Sequence, residues 1–335
     1  MIAASPLADH PERWQHLLAE AVTDPAELIA LLGLDPALVE PARRAASRFG
    51  LRVPRGFVAR MRRGDPGDPL LRQVLPLAAE LEEAPGYVAD PVADLASEAA
   101  PGLLHKYEGR ALLVTTGACG VHCRYCFRRE YPYADHGAGG GRWRDAVATI
   151  AADRSIHEAI LSGGDPLSLG NVRLAALVEA LESIPHLRRL RIHTRQPIVL
   201  PERVDEGLLA LLGRTRLTTV VVVHANHAAE MDGNVAAALA AMAGRGAILL
   251  NQGVLLAGVN DSVEALAALS ERLAEAGVLP YYLHLLDRVR GSAHFEVAEP
   301  AAIALLEELR SRLPGYLVPR LVREEPGSGS KTPVA

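Results

Sequence analysis

Lysine is almost absent from this chain. Of 35 basic residues in 335, Lys stands only at positions 106 and 331, which leaves 33 arginines. Cysteine is as scarce: there are three, all between 119 and 126. Three clustered cysteines cannot build a disulfide framework, which excludes a disulfide-stapled secreted domain. No run of 18 or more apolar residues occurs, so no membrane span is expected. The stretch from Met1 to Trp14 lacks a basic start followed by an apolar segment, so no signal peptide is expected. A net charge of −5 argues against broad electrostatic binding of nucleic acid. What is present, 49% hydrophobic and 22% charged residues, suits a globular enzyme of a reducing compartment, with the cytoplasm as its expected place. The length suffices for one large core or two modest ones.

The pattern changes near residue 100. Before it, Trp14, Leu17, Leu18 and Ala21 fall at helical spacing, and Pro25 starts a second helix through Leu31. Gly-Asp-Pro-Gly-Asp-Pro at 64–69 predicts a turn, followed by a helix from about Pro69 to Glu83 and a surface connection over 84–102. Beyond it, short apolar, β-branched runs stand at 111–116, 158–162, 189–194, 218–224, 247–252 and 280–286. Stretches of helical period occupy 143–152, 172–183, 204–212, 233–243, 261–276 and 300–312. Strand then helix, six times over, predicts an α/β protein with a parallel sheet and right-handed crossovers. A partial (β/α)6 barrel is expected, with an open doubly wound sheet as the alternative. The expected divisions are a helical region 1–104, a barrel 105–290, and a segment 291–335 with a helix, a strand and a Gly/Ser-rich tail. The glycines at 137–141 predict a mobile loop.

Cys119-Gly-Val-His-Cys123-Arg-Tyr-Cys126 is C-x3-C-x2-C, placed just after the first parallel strand. Three thiolates within eight residues can converge on one metal centre. Zinc would want a fourth ligand, which His122 cannot easily supply from between two ligating cysteines. A [4Fe–4S] cluster on three cysteines leaves one iron open for a small ligand. Three buried structural thiols are the plain alternative, weakened by the absence of cysteine elsewhere. The spacing, with Tyr125 before the last cysteine, is the motif of the radical S-adenosylmethionine (SAM) superfamily.

In a (β/α) barrel, chemistry sits at the C-terminal strand ends. The second run ends in Ser162-Gly163-Gly164-Asp165-Pro166-Leu167, where paired glycines permit close backbone approach. The fourth, fifth and sixth end near His224, Gln252 and Asp287. Each alone is more often a satisfied structural polar group; several at the same end of the barrel point to a site. Lys331 follows Gly327-Ser328-Gly329-Ser330. In a chain that otherwise uses arginine, a retained amine points to chemistry that guanidinium cannot do, such as a Schiff base with pyridoxal phosphate (PLP).

The cysteine motif, SGGDPL at 162–167, NQGVLLAGVND at 251–261 and PGSGSKTPV at 326–334 together resemble the lysine 2,3-aminomutase family. The likeness runs from about Asp65 onward, and the ending soon after SKTPV resembles the short branch that makes β-lysine for modification of elongation factor P. The resemblance implies a radical SAM barrel that moves the α-amino group of L-lysine to Cβ, an isomerase reaction started by a 5′-deoxyadenosyl radical. It implies a [4Fe–4S] cluster on Cys119, Cys123 and Cys126, SAM contacts from Ser162, Gly163, Gly164, Asp165, His224 and Gln252, and PLP on Lys331. Arg110 matches a phosphate-binding arginine. Lys106 falls where the family has a second one, so a cation is kept but its bidentate fork is lost. Arg128 matches the arginine that pairs with the substrate carboxylate. Asp287 and Glu324 fall where two aspartates hold the substrate ε-ammonium, Glu324 departing by one methylene. Implied partners are an electron donor such as flavodoxin or ferredoxin and the elongation factor P lysylation ligase, with neither nucleic acid nor membrane. Two other readings remain open: an aminomutase for another amino acid such as glutamate, or free-standing β-lysine production, and a non-catalytic Fe–S or zinc barrel protein.

Overall fold

Side chains alternate across a strand, so a curved sheet sends every second residue inward. This chain uses that rule to furnish one cavity. The computed structural model describes residues 13–137 and 143–335. Its sheet has ten strands in sequence order. β1 (Glu98–Ala100), β2 (Leu103–Tyr107) and β3 (Arg110–Thr116) are antiparallel neighbours. From β3 onward β4 (Glu158–Gly163), β5 (Arg189–Thr194), β6 (Thr218–Val223), β7 (Ile248–Val254), β8 (Leu279–His284) and β9 (Arg320–Arg323) run parallel. β10 (Thr332–Pro333) turns back antiparallel on β9. Among the described residues β1 and β10 do not pair, so the barrel stays open.

The six expected strands all form, and β9 adds a seventh to the parallel set. Helices cover their outer face. Leu113, Leu161, Ile192, Val221 and Leu249 pack outward against Leu174, Leu177, Leu181, Leu208 and Leu239 in one buried cluster. The last long helix, Glu299–Arg312, packs Leu306 and Leu309 with Leu283 of β8 and Leu321 of β9. Burial of such side chains supplies about 1.5–3 kcal/mol each before entropy is counted.

The N-terminal part forms its own cluster around Trp14, Leu28, Phe57 and Leu70, which also packs Val121 and Cys123 of the cysteine loop. Asp24 caps the helix Pro25–Leu32 by accepting from Ala26 N, and Asp68 caps Pro69–Arg72 through Leu70 N and Leu71 N. The helix expected over 69–83 stops at Arg72, and only a 3-10 turn, Ala78–Leu81, follows. Pro76 is the physical reason: it lacks the N–H a helix needs and collides with the preceding turn. Nor is 84–102 merely a surface connection, because it carries Asp94, 2% exposed, and β1. Of the expected glycine loop 137–141, all but Gly137 lies outside the described residues.

Candidate active site

The inward residues of β2, β3, β4, β5, β7 and β8 line a cavity of about 610 Å³ together with the loops at the strand ends. All fifteen residues singled out from the sequence line it.

One wall is the cysteine loop. Cys119, Cys123 and Cys126 are each half-buried. Burial raises the Cys119 thiol, helped by charge on Cys126; burial, then charge on Cys123, pushes Cys126 up to about 11. Three thiolates here therefore repel unless a cationic centre compensates them. Among the described residues no three His, Cys, Asp or Glu side chains gather closely enough for one metal ion. A four-iron cluster takes one thiolate per iron, at separate corners, so this donor set fits that group on chemistry.

The loop is braced from behind. Arg124, fully buried, donates to Glu80 at 2.9 and 2.6 Å and to Phe49 O at 2.7 Å, and Arg129 donates to Glu80 at 2.7 Å. Both guanidiniums lie 4.8 Å from the Phe49 ring. Burial opposes ionisation of Glu80, but the two arginines outweigh it and hold its carboxyl low. A second buried hub centres on Arg195, which donates to Cys123 Sγ (2.8 Å), the Tyr125 hydroxyl (2.6 Å), Gln73 (2.6 Å) and Glu230 (2.9 Å). The Tyr125 hydroxyl lies 2.9 Å from His224 Nε2. Burial, then the charge of Arg195, keeps His224 neutral at ordinary pH.

The glycine pair meets the same loop. A Cβ on Gly164 would stand 2.4 Å from Ala118 O, and one on Gly163, at φ +117°, 2.8 Å from Thr116 O. Only glycine lets β4 press this closely on the approach to Cys119. Gly164 N and Asp165 N donate to Thr116 O and Ala118 O. Buried Asp165 accepts from Thr194 Oγ1, Arg195 N, Leu167 N and Gln196 N. Its oxygens are thus committed within the protein, which makes it a brace between β4 and β5. Gln252 lines the cavity from β7.

The opposite wall carries the amines and acids. The register Arg323–Thr332 sets Glu324 and Lys331 across from each other at the mouth of the β9–β10 hairpin, and their side chains form an ion pair. Gly327, at φ +81°, lets the intervening loop turn. Burial lowers the Lys331 amine to about 8 and raises Asp287 to about 6. The Asp287 carboxylate makes no ion pair among the described residues. Arg128, 8% exposed, donates to Asp94 at 2.6 Å and to Ser162 Oγ at 3.1 Å. Arg110 lies 4.6 Å from the Tyr107 ring and has no ion-pair partner among the described residues. An unpaired guanidinium and an amine on one cavity fit a phosphorylated aldehyde such as PLP.

No protein-family model matches the chain. Curated relatives do. The L-lysine 2,3-aminomutase of Escherichia coli K12 is 48% identical over 324 residues, 96% of this chain and 94% of that one. The enzyme of the same name from Haemophilus influenzae is 42% identical over 332 residues, covering 99% and 98%. That of Clostridium subterminale is 35% identical over 271 residues, covering 81% and 65%. The chain belongs to the lysine 2,3-aminomutase family. It is an isomerase. Among solved structures, a radical SAM methyltransferase from Sphaerobacter thermophilus aligns at 17% identity and TM-score 0.45, over 66% of this chain and 68% of that one.

Several residues that line this cavity or brace its walls are not marked in the sequence. Asp94, Glu80, Gln73, Arg195 and Glu230 reach it from distant segments, and no local spacing marks them. His193 could have been found: it stands two residues after Arg191 on β5, the inward period, and its Nε2 is buried without a protein partner.

Proposed function

We propose that the protein converts L-lysine to β-lysine by 2,3-amino migration, with a [4Fe–4S] cluster, SAM and PLP as cofactors. The observation that carries this reading is the two-walled cavity: three cysteines on one side, Lys331 and two acids on the other. When bound, the cluster and SAM supply a carbon-centred radical that abstracts hydrogen. When bound, PLP supplies an aldehyde that joins an amine and carries nitrogen between adjacent carbons. Cys119, Cys123 and Cys126 would hold the cluster. His224, Gln252 and the 162–164 backbone would contact SAM, with Asp165 bracing that turn. Lys331 would join PLP, and Arg110 its phosphate.

The substrate would be held at two points. Arg128 keeps one terminal nitrogen uncommitted for a carboxylate, its other nitrogens being fixed by Asp94 and Ser162. Asp287 and Glu324 offer acidic oxygens to a distal ammonium. Such a clamp fixes the carbon between them relative to the cluster wall. A glutamate substrate would need a cation where these acids stand, so the acids favour lysine.

We further infer that the β-lysine serves modification of elongation factor P and passes to its lysylation ligase, with flavodoxin or ferredoxin as electron donor. The likeness to the short branch supports this. No helix among the described residues is long and apolar enough to cross a membrane; action in the cytoplasm is part of the same proposal. The test is anaerobic turnover with L-lysine and L-glutamate in parallel. β-Lysine from the first and no product from the second is expected; conversion of glutamate alone would overturn the reading.

A further inference from the structure

Lys106 is one of only two lysines in the chain, and Glu324 is the acid that meets the other, Lys331. They lie 218 residues apart, on β2 and just beyond β9, and they touch: Lys106 Nζ donates to Glu324 Oε1 at 2.9 Å. The same ammonium donates to Val92 O at 2.7 Å and lies 2.6 Å from Asp94 Oδ1. An ammonium has three hydrogens, and these three acceptors use them all. None remains for a phosphate.

The backbone bends to provide that cage. Ala93 stands between Val92 and Asp94 at φ +52°, the one left-handed non-glycine residue among those described. Such a conformation is strained for a residue with a Cβ and persists where surrounding contacts require it. Here it turns Val92 O and the Asp94 carboxylate onto the same amine. Asp94 also grips Arg128 at 2.6 Å, and Glu324 grips Lys331. Five groups thus alternate in sign from Arg128 through Asp94, Lys106 and Glu324 to Lys331. The chain of contacts crosses the open seam between the two edges of the sheet.

We propose that Lys106 is a positioning residue, not a phosphate ligand: it latches the open seam of the barrel and holds Glu324 against Lys331. The cation and the acid are then a matched pair. Lysine is a shorter cation than arginine and glutamate a longer acid than aspartate, so exchanging both together leaves their summed reach nearly unchanged, while exchanging one alone does not. Binding of the cofactor phosphate is left to Arg110. This inference rests on the reading of Lys331 as the PLP lysine and of Glu324 as a substrate contact.

Three variants test it: Lys106→Arg, Glu324→Asp and both together. Melting of the PLP-free protein reads the latch without any cofactor, and the KM for L-lysine reads the position of Glu324. Each single exchange is expected to lower the melting temperature and to raise KM roughly tenfold. The double exchange is expected to restore the melting temperature and to bring KM within roughly threefold of the parent, because it restores the summed reach. Losses that simply add in the double variant, in either readout, overturn the proposal. Borohydride trapping of PLP on the parent protein tests the underlying reading separately, since the chain has two lysines to choose between. Absence of label at Lys331 removes that reading, while the melting cycle of the PLP-free protein still decides the latch.

Discussion

The two walls of the cavity are built differently. The cysteine loop is held by Arg124, Arg129 and Glu80, by Arg195 on a cysteine sulfur, and by glycines packed to contact on its backbone. Nearly every polar group there already has a partner. On the amine wall Lys331 stands on a short hairpin with glycines in its turn, and of the two amines only Lys106 is saturated. Lys331 has one acidic partner, and Asp287 has none among the described residues. A radical source gains from rigid surroundings that exclude water. In the proposed reaction Lys331 exchanges cofactor and substrate, and contacts it can leave would permit that. The contrast divides this cavity into a preorganised half and a less constrained half.

The strongest way to break that contrast is to remove one reactive group from each wall. Cys123→Ala should abolish turnover and iron content while PLP still attaches. Lys331→Ala should abolish turnover and PLP attachment while iron content stays at the parent level. Iron analysis and PLP absorbance check both; loss of both cofactors in either variant would erase the division.

Next in size is the brace. Arg124→Met leaves Glu80 buried with one arginine, and should cost about 3 kcal/mol of stability. Denaturant melts measure this. An exposed ion pair such as Arg43–Asp24, by contrast, should be worth under about 1 kcal/mol.

On the amine wall, Asp287→Asn should raise the KM for L-lysine roughly 10- to 100-fold, the range for a hydrogen bond to a charged group. Steady-state kinetics at saturating SAM show it.

The smallest effect is in pH dependence, and its sign differs between the walls. Glu80 is held low, so it contributes stability above the ordinary carboxylate range, and that stability is lost as pH falls through its folded value. Asp287 is raised to about 6, so its ionisation disfavours the fold as pH climbs from the ordinary 3.8 through 6. Glu80→Gln should therefore lower the melting temperature at neutral pH, with a deficit that shrinks in acid. Asp287→Asn should raise it slightly above pH 6, with no gain near pH 4. Scanning calorimetry of the PLP-free protein across that range compares the two.

Most of the barrel was legible because each strand is a short β-branched run set between helical periods. The cysteine loop was legible because its spacing is local. Lys331 stood out because the chain has hardly any other lysine. What sequence could not supply was the far partner. Glu80 meets Arg124 across 44 positions, and Lys106 meets Glu324 across 218. Lys106 lines the same cavity as Lys331, yet its saturation by Val92, Asp94 and Glu324 depends on folding. The over-long helix at 69–83 is another matter, since Pro76 was there to be read.

The central claim is that nitrogen moves from C2 to C3 of lysine within this one cavity. Anaerobic turnover of L-lysine carrying 15N on the α-amino group, followed by nitrogen NMR, tests it directly. The account predicts β-lysine with the label on C3, formed only when iron, SAM, PLP and reductant are all present. β-Lysine whose C3 nitrogen is unlabelled, or formed without PLP, would contradict it.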